Sequence, residues 1–351
     1  MNGNVKQDVI MSVALHSKLE FGSTTSFRWD ADLVPKAESQ THFHLLSIIN
    51  TEIQRRGPLS GERLRLLDVG CGDGKLLIYL SVALQACWPS LKFDLYGFDV
   101  GDHGLQAPSF FKDALARLEA AAPGGKWRER LALISEHDPW PYEADFFDIV
   151  VSNQVLEHVR DQPLFFSELG RVLNAKGFSA HLYPSRHCVV EPHLQVPFAH
   201  RLRDADLLDA WLRLCSRMRL SSYPGWAQAR RSITPSLNHS LETYVREHST
   251  FLTHLTNYKT QRETHSLAKA SGQTSSFCYT GRYFSGKLAS ILGRERAPFY
   301  ADNPAMSAAL ANLVCRYLSS VTLLTRGDPE RKPGAMPVST VRARSLLSLL
   351  A

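Results

Sequence analysis

The chain predicts an α/β fold built on a mostly parallel sheet, and three observations carry that prediction. Short apolar runs of strand length alternate with segments of helical periodicity through the middle of the sequence. The first run, Leu64, Leu66, Leu67 and Val69, is apolar toward both faces, as a central parallel strand covered by helices must be. It passes through Gly70, Gly72 and Gly74, with Cys71 between the first two, into a helical stretch. In such a strand, glycine turn and helix unit the missing side chains let the backbone come against a ligand. The helix amino terminus then directs unpaired N–H groups at the turn.

The elements follow in order. Residues 1–35 are irregular in pattern, with a turn cluster at 21–25, and either pack over the ligand site or stay partly disordered. Residues 37–56 place Phe43, Leu46, Ile49 and Ile53 on one helical stripe, and Gly57 and Pro58 end it. After the glycine turn, residues 75–87 form a helix carrying Leu76, Leu77, Leu80, Val82 and Ala83, stopped by Pro89. A second strand covers 93–98 and is followed directly by Asp99, where a carboxylate can accept from both ribose hydroxyls. A helix at 108–122 ends at Gly124 and Gly125, and strands three, four and five cover 131–135, 147–152 and 178–183. Between the last two, residues 162–176 read as a helix opened by Pro163 and closed by Gly177 in a left-handed cap.

Beyond residue 200 the pattern changes. Residues 201–259 read as a helical insertion or lid, with an apolar stripe of Leu207, Leu208, Trp211, Leu212, Cys215 and Met218 flanked by arginines. The stripe is explained by packing on the core; the arginines are either a solvated face or a hint of an anionic acceptor. The sheet resumes with a helix at 260–270, opened by a Thr260/Glu263 capping box. Strands at 275–280 and 321–325 follow, separated by a helix at 306–318, and residues 328–351 form a loose tail.

Composition agrees with a soluble enzyme. A chain of 351 residues that is 44% hydrophobic buries one large core, or a core and a modest extra unit. A formal charge of +6 is mild for that length and does not by itself imply nucleic acid. The six cysteines are scattered without a close pair, which points away from a disulfide frame or a zinc site and toward a reducing cytoplasm. No apolar stretch reaches the roughly 20 residues of a membrane span.

The glycine turn narrows once Asp68 is considered. An acidic residue two places before the first glycine would repel a pyrophosphate, whereas a cofactor with a cationic end would welcome it. DVGCGDG, then Asp99, then FFDIVVSNQVLEHV and ELGRVLNAKGFSAHLYPSR, resemble successive motifs of the class I S-adenosylmethionine-dependent methyltransferases, in particular the subgroup with ubiquinone-biosynthesis O-methyltransferases. The match covers roughly residues 40–190. The resemblance implies a doubly wound seven-stranded sheet with its last strand antiparallel, a Rossmann-like methyltransferase fold. S-adenosylmethionine would lie over the carboxyl ends of the first strands, on a core of residues 36–200 completed by residues 260–327.

What it implies for the site is equally definite. Gly70, Cys71, Gly72 and Gly74 would face the methionine part, Asp68 its ammonium and Asp99 the ribose. Asp138 would meet the adenine amino group, with Glu136 next in line, although Asp138 also suits a plain turn before Pro139. Trp140 and Tyr142 either wall the adenine or simply pack. Asn153 would line the methionine pocket. Related O-methyltransferases can hold a divalent metal on a Glu-x-x-Glu-His pattern, and here Gln154 replaces the first carboxylate, so no essential metal is expected on Glu157 and His158.

For catalysis His158 is the candidate base, with Glu157 beside it, or the pair only fixes its loop. Residues 184–200 should enter the acceptor pocket, and Glu191-Pro192-His193 is their best catalytic group. The expected partner is a small anionic or amphipathic acceptor, such as a fatty-acid-like or polyprenylated carboxylate or phenol, methylated on oxygen. Two other functions stay in view: a nucleic-acid methyltransferase, disfavoured because SNQVLEH stands where base methylation uses an Asn/Asp-Pro-Pro-aromatic loop, and a binding protein that has kept the fold without catalysis.

Overall fold

The computed structural model describes residues 33–56, 63–104, 109–223, 240–294, 296–300, 314–318 and 320–327. The irregular amino-terminal segment up to residue 32, the Gly57–Pro58 stop, the first part of the predicted 306–318 helix and the tail lie outside them.

Helix α1 (Gln40–Arg56) leads to strand β1 (Arg63–Val69), α2 (Lys75–Cys87), β2 (Lys92–Val100), α3 (Phe110–Ala121), the single turn α4 (Trp127–Arg130) and β3 (Leu131–Ile134). Then come β4 (Phe147–Asn153), a short 3-10 turn (Leu156–His158), α5 (Gln162–Val172) and β5 (Leu173–Tyr183). A two-stranded ribbon, β6 (Val190–Glu191) and β7 (Val196–Pro197), precedes α6 (Ala205–Arg217) and α7 (Leu241–His254). The chain returns through α8 (Gln261–Ala270), β8 (Thr274–Ser276), α9 (Thr280–Ile291) and β9 (Val321–Arg326).

Seven strands form one sheet in the order β3-β2-β1-β4-β5-β9-β8. β1 runs parallel to β2 on one side and to β4 on the other, so the winding reverses between β1 and β4. At such a switch point the loops at the strand carboxyl ends diverge and leave a crevice. β9 is antiparallel to both β5 and β8. The fold is therefore the doubly wound α/β sheet that the alternation of elements predicts.

Packing explains why this order is stable. Leu76, Leu77, Leu80 and Leu84 of α2 are all buried against Leu64, Leu66 and Leu95 of the sheet, and each such side chain contributes about 2 kcal/mol by leaving water. The opposite face is covered by α5, where Phe165, Phe166 and Leu169 join Leu67, Val69 and Val150. Leu208, Leu212 and Cys215 of α6 form a separate cluster with Tyr244, Val245 and Leu252 of α7. Leu207 and Met218 of the predicted stripe stay exposed.

Two stretches differ from expectation. Helix α5 stops at Val172, and Gly177 is not its left-handed cap but part of a long β5. A Cβ there would lie 3.0 Å from the carbonyl oxygens of Asn174 and Asp148, so glycine serves a close strand approach at an irregular register. The sixth strand is the short β8, and Thr280 opens helix α9 instead of ending the strand. Gly281 and Gly286 weaken the helical pattern there, yet Tyr283 is buried, and Thr280 Oγ1 accepts a bond from the Thr322 amide at 3.1 Å. Of the helix predicted at 306–318, the described residues 314–318 are helical.

Candidate active site

The site is built first by the turn after β1. Gly70, Gly72 and Gly74 have φ of 68°, 52° and 77°, the left-handed region that a side chain resists. Space forbids one as well: a Cβ on Gly70 would lie 2.6 Å from Val155 Cγ2, and one on Gly74 2.9 Å from Leu118 Cδ1. The amides of Gly70 and Cys71 both donate to the Phe98 carbonyl at 2.9 and 3.0 Å, tying the turn to the end of β2. One residue on, Asp99 accepts from the Gly72 amide through Oδ2 at 2.7 Å and from its neighbour Val100 through Oδ1 at 2.8 Å. The turn and the carboxylate therefore hold each other in place.

Asp68 ends β1 beneath this turn, 2% exposed, and its Oδ1 has no hydrogen-bond partner. Burial pushes its carboxyl well above the ordinary range, and the charge of Asp99 adds to the shift. Asp99 is also raised by burial, against the pull of its two amides. Two carboxyl groups crowded in this way favour a positively charged ligand. Burial raises the Cys71 thiol too, with Asp68 and Asp99 adding, so it is a wall and not a nucleophile.

Asp68, Gly70, Cys71, Gly72 and Asp99 line one cavity of about 480 Å³, a volume suited to a cofactor-sized molecule, whereas Gly74 lies behind it against Leu118. Asn153 lines it from the end of β4, its Nδ2 donating to Thr41 Oγ1 at 3.1 Å while Oδ1 is unpartnered. Trp140 lines it too, wedged between Phe98 and Phe165 at ring separations of 5.1 and 5.2 Å. Tyr142 does not reach the cavity and donates to the Gly97 carbonyl at 3.1 Å.

At the far end Asp138 is exposed and serves the turn the sequence also allows. Its Oδ2 accepts from the Ser135 amide and its own amide donates to the Ser135 carbonyl, both at 3.1 Å. Glu136 is the more enclosed: Oε1 is held by Arg160, and the unpartnered Oε2 lies 4.0 Å from His103 Nε2. His42 and His103 line the cavity and were not legible beforehand. A histidine four residues after Asp99, just before Gly104, was the available signal.

The other rim brings together residues from three distant segments. His158 borders the cavity, and its Nδ1 lies 2.8 Å from the Leu255 carbonyl beyond α7. A carbonyl only accepts, so Nδ1 carries the proton and Nε2 keeps a lone pair. Burial lowers the imidazole to about 4 even though that bond opposes the shift. The His193 ring stands 5.2 Å from it, with Phe251 against both. Glu191 is fully buried and accepts from His193 Nδ1 at 2.7 Å, Tyr258 Oη at 2.5 Å and the Leu194 amide at 2.7 Å. Burial works against charge on His193, but the bond to Glu191 and the charges of Glu191 and Glu157 outweigh it and raise the ring. Glu157 is 1% exposed with both carboxyl oxygens unpartnered, and burial pushes it up to about 8.

Two arginines of the insertion are spent on the chain itself. Arg201 donates to the carbonyls of Arg186, His187 and Cys188, and Arg213 pairs with Glu242 at 2.8 Å.

The model of the methyltransferase domain family matches residues 42–246, more than half of the chain. The chain belongs to this family. It carries a methyltransferase domain of the S-adenosylmethionine-dependent class. A malonyl-[acyl-carrier protein] O-methyltransferase of Legionella pneumophila is 31% identical over 114 residues, 32% of this chain and 34% of its own. The chain thus spans about a third of the length of that curated relative. Among solved structures, PKMT2 of Rickettsia typhi in complex with AdoHcy is 12% identical with a TM-score of 0.43, covering 86% of this chain and 55% of that one. The YcgJ protein of Bacillus subtilis is 13% identical with a TM-score of 0.37, covering 76% and 92%.

The cavity of this methyltransferase fits its donor. Asp68 leaves a buried Oδ1 unpartnered, which suits a cationic group, and Asp99 keeps lone pairs free beside the glycine turn, which suits hydroxyl donors. Among the described residues no helix is long and apolar enough to cross a membrane, and the six cysteines are free thiols.

Proposed function

We propose that this methyltransferase transfers a methyl group to an oxygen, hydroxyl or carboxylate, of a small anionic or amphipathic acceptor. The observation that carries the reading is the tautomer of His158. Its Nδ1–H is spent on the Leu255 carbonyl, which leaves Nε2 as a proton acceptor beside the donor cavity. A hydroxyl is a poor nucleophile unless its proton leaves as the oxygen takes the methyl group, and an unprotonated imidazole nitrogen can receive that proton; a neutral amine attacks unaided and sheds its proton to water afterwards. The curated relative is named an O-methyltransferase, in the same sense.

S-adenosylmethionine supplies an activated methyl on a sulfonium, so the chain has little bond chemistry to perform. Asp68, Asn153 and the turn at Gly70, Cys71 and Gly72, bent by Gly74, hold the methionine portion, Asp99 the ribose, and Glu136 with Asp138 the adenine end. Trp140 and Phe165 keep water out, and orientation supplies most of the rate. His158 takes the acceptor proton, with Glu157 and the His193–Glu191 pair fixing the wall behind it. Apolar Val155, Val159 and Leu164 on the same cavity suit an amphipathic acceptor.

A panel of phenols, fatty acids and acyl carboxylates, incubated with S-adenosylmethionine and read by mass spectrometry, tests this. One added methyl on oxygen is expected, and His158→Gln should lower kcat with a hydroxyl acceptor by roughly a hundredfold. Methyl found on nitrogen or on nucleic acid overturns the reading. Unchanged turnover of His158→Gln identifies a carboxylate acceptor, which needs no base.

A further inference from the structure

We propose that Glu157, His158 and His193 form a site for one divalent transition-metal ion of the zinc, iron or manganese class. One ligand atom from each of the three lies within 4.8 Å of the other two. A cation bonded at about 2.1 Å to each would draw these donors together by small side-chain rotations.

Three features distinguish this group from an incidental cluster. The first is the carboxylate: Glu157 is 1% exposed and neither of its oxygens has a partner. A buried carboxyl group is expensive unless it is paired or ligates a metal. The second is the support of the imidazoles. His158 has its Nδ1 on the Leu255 carbonyl, and His193 has its Nδ1 on Glu191, itself pinned by Tyr258 and the Leu194 amide. Metal-bound histidines characteristically give their second nitrogen to a carbonyl or carboxylate, which fixes the tautomer and orients the free nitrogen. Here both rings do so, and both keep Nε2. The third is donor type. Two imidazole nitrogens and one carboxylate suit zinc, iron or manganese better than magnesium or calcium, which prefer oxygen, and leave coordination positions open.

This set is not the carboxylate pattern considered for the sequence. Gln154 sits in a left-handed backbone with φ of 58° and turns its amide to Ser320 Oγ at 3.3 Å. The third ligand comes instead from the β6–β7 ribbon, 35 residues beyond His158.

Metal binding itself does not depend on the proposed reaction; only its role rests on that reading. With the ion bound, an acceptor hydroxyl on an open position would lose its proton to water more readily, and the ion would replace His158 as the activating group.

The test uses the full chain, stripped with chelator and titrated with Zn²⁺ by calorimetry and with Co²⁺ by visible absorption. One ion per chain is expected, with a cobalt spectrum showing nitrogen ligation. Glu157→Gln and His193→Ala should each weaken binding by about a hundredfold or more, and Glu191→Gln by roughly ten- to a hundredfold. His265→Ala, an outlying histidine, should change nothing. S-adenosylmethionine binding by the same variants reports that they fold. Failure of the wild-type chain to take up either ion overturns the proposal, as does a cobalt spectrum without imidazole ligation or uptake unchanged in Glu157→Gln and His193→Ala. O-methylation by a chain that takes up no metal defeats this inference alone. Metal uptake by a chain that methylates nitrogen defeats the functional reading alone.

Discussion

The two rims of the cavity are assembled in opposite ways. On the donor rim Asp68, the glycine turn and Asp99 come from two successive strand ends, and their bonds run between adjacent parallel strands. On the proposed acceptor rim His158, His193 and Tyr258 come from three segments, joined by bonds such as His158 to Leu255 across 97 positions. The first rim is a by-product of forming the sheet, since β1 and β2 cannot pair in register without bringing Asp99 under Gly72. The second requires the insertion to dock before it exists.

That division is broken most directly at Asp99. Asp99→Ala removes a buried acceptor of two amides and the proposed ribose partner, a loss of about 3 kcal/mol, or roughly a hundredfold in donor affinity. Calorimetry with S-adenosylmethionine reads it. Tyr258→Phe, which removes only the hydroxyl that contacts Glu191 and His193 on the other rim, should leave donor affinity within about twofold. Equal losses in the two variants would show a single coupled site.

The same contrast decides what was legible in the sequence. The donor motifs are contiguous strings, so the left-handed backbone at Gly70, Gly72 and Gly74 could be expected from residue type alone. The Thr260/Glu263 capping box is likewise a four-residue signal, and both of its bonds are present. His193 and Glu191 stand two places apart and could be singled out as a pair. Their meeting with His158 could not, because no local periodicity encodes a contact between a strand-end turn and a loop 35 residues later. Gly177 misled for a related reason: a glycine after a helical run has the same local signature whether it caps the helix or admits a neighbouring carbonyl. Which of the two applies depends on where Asp148 lies.

Both rims stand on one sheet, and a buried histidine at its centre offers a way to sharpen the contrast. His181 on β5 is fully buried between Ser152 and Ser179, against the Phe165 ring, and burial lowers it to about 3. Its folded value lies below the ordinary 6.5, so between the two the unfolded chain binds the extra proton. Stability is therefore intact above pH 6.5 and falls as the pH drops toward 3. At pH 5 this one group costs about 2 kcal/mol. His181→Gln keeps a hydrogen-bonding side chain without the charge, so its denaturant midpoint should fall less steeply over the same interval. Raised carboxyl groups such as Asp68 act in the opposite sense, so the difference between wild type and variant is the quantity to measure. Parallel slopes for the two proteins would remove His181 as the source. Donor binding should be lost in step with unfolding, because acid here attacks the common frame.

The smallest effect tests whether the acceptor rim can be loosened alone. Thr260 Oγ1 accepts the Glu263 amide at 3.2 Å, and Glu263 Oε2 accepts the Thr260 amide at 2.7 Å. This box starts α8 two residues after Tyr258, and between them the Lys259 carbonyl accepts the Arg186 amide at 2.9 Å. The cap therefore sets where Tyr258 stands and anchors the loop that carries His193. Thr260→Ala should cost about 1 kcal/mol, a fall of roughly 2 to 4 °C in Tm for a domain of this size. Donor affinity should not move, because no residue of the glycine turn or of Asp99 touches the cap. Turnover should fall by more than the lost stability explains, since the mutation frees the segment that orients Glu191 and His193. If donor affinity falls as far as turnover, the insertion and the donor turn are one mechanical unit, and the acceptor rim is not an independently variable attachment to the sheet.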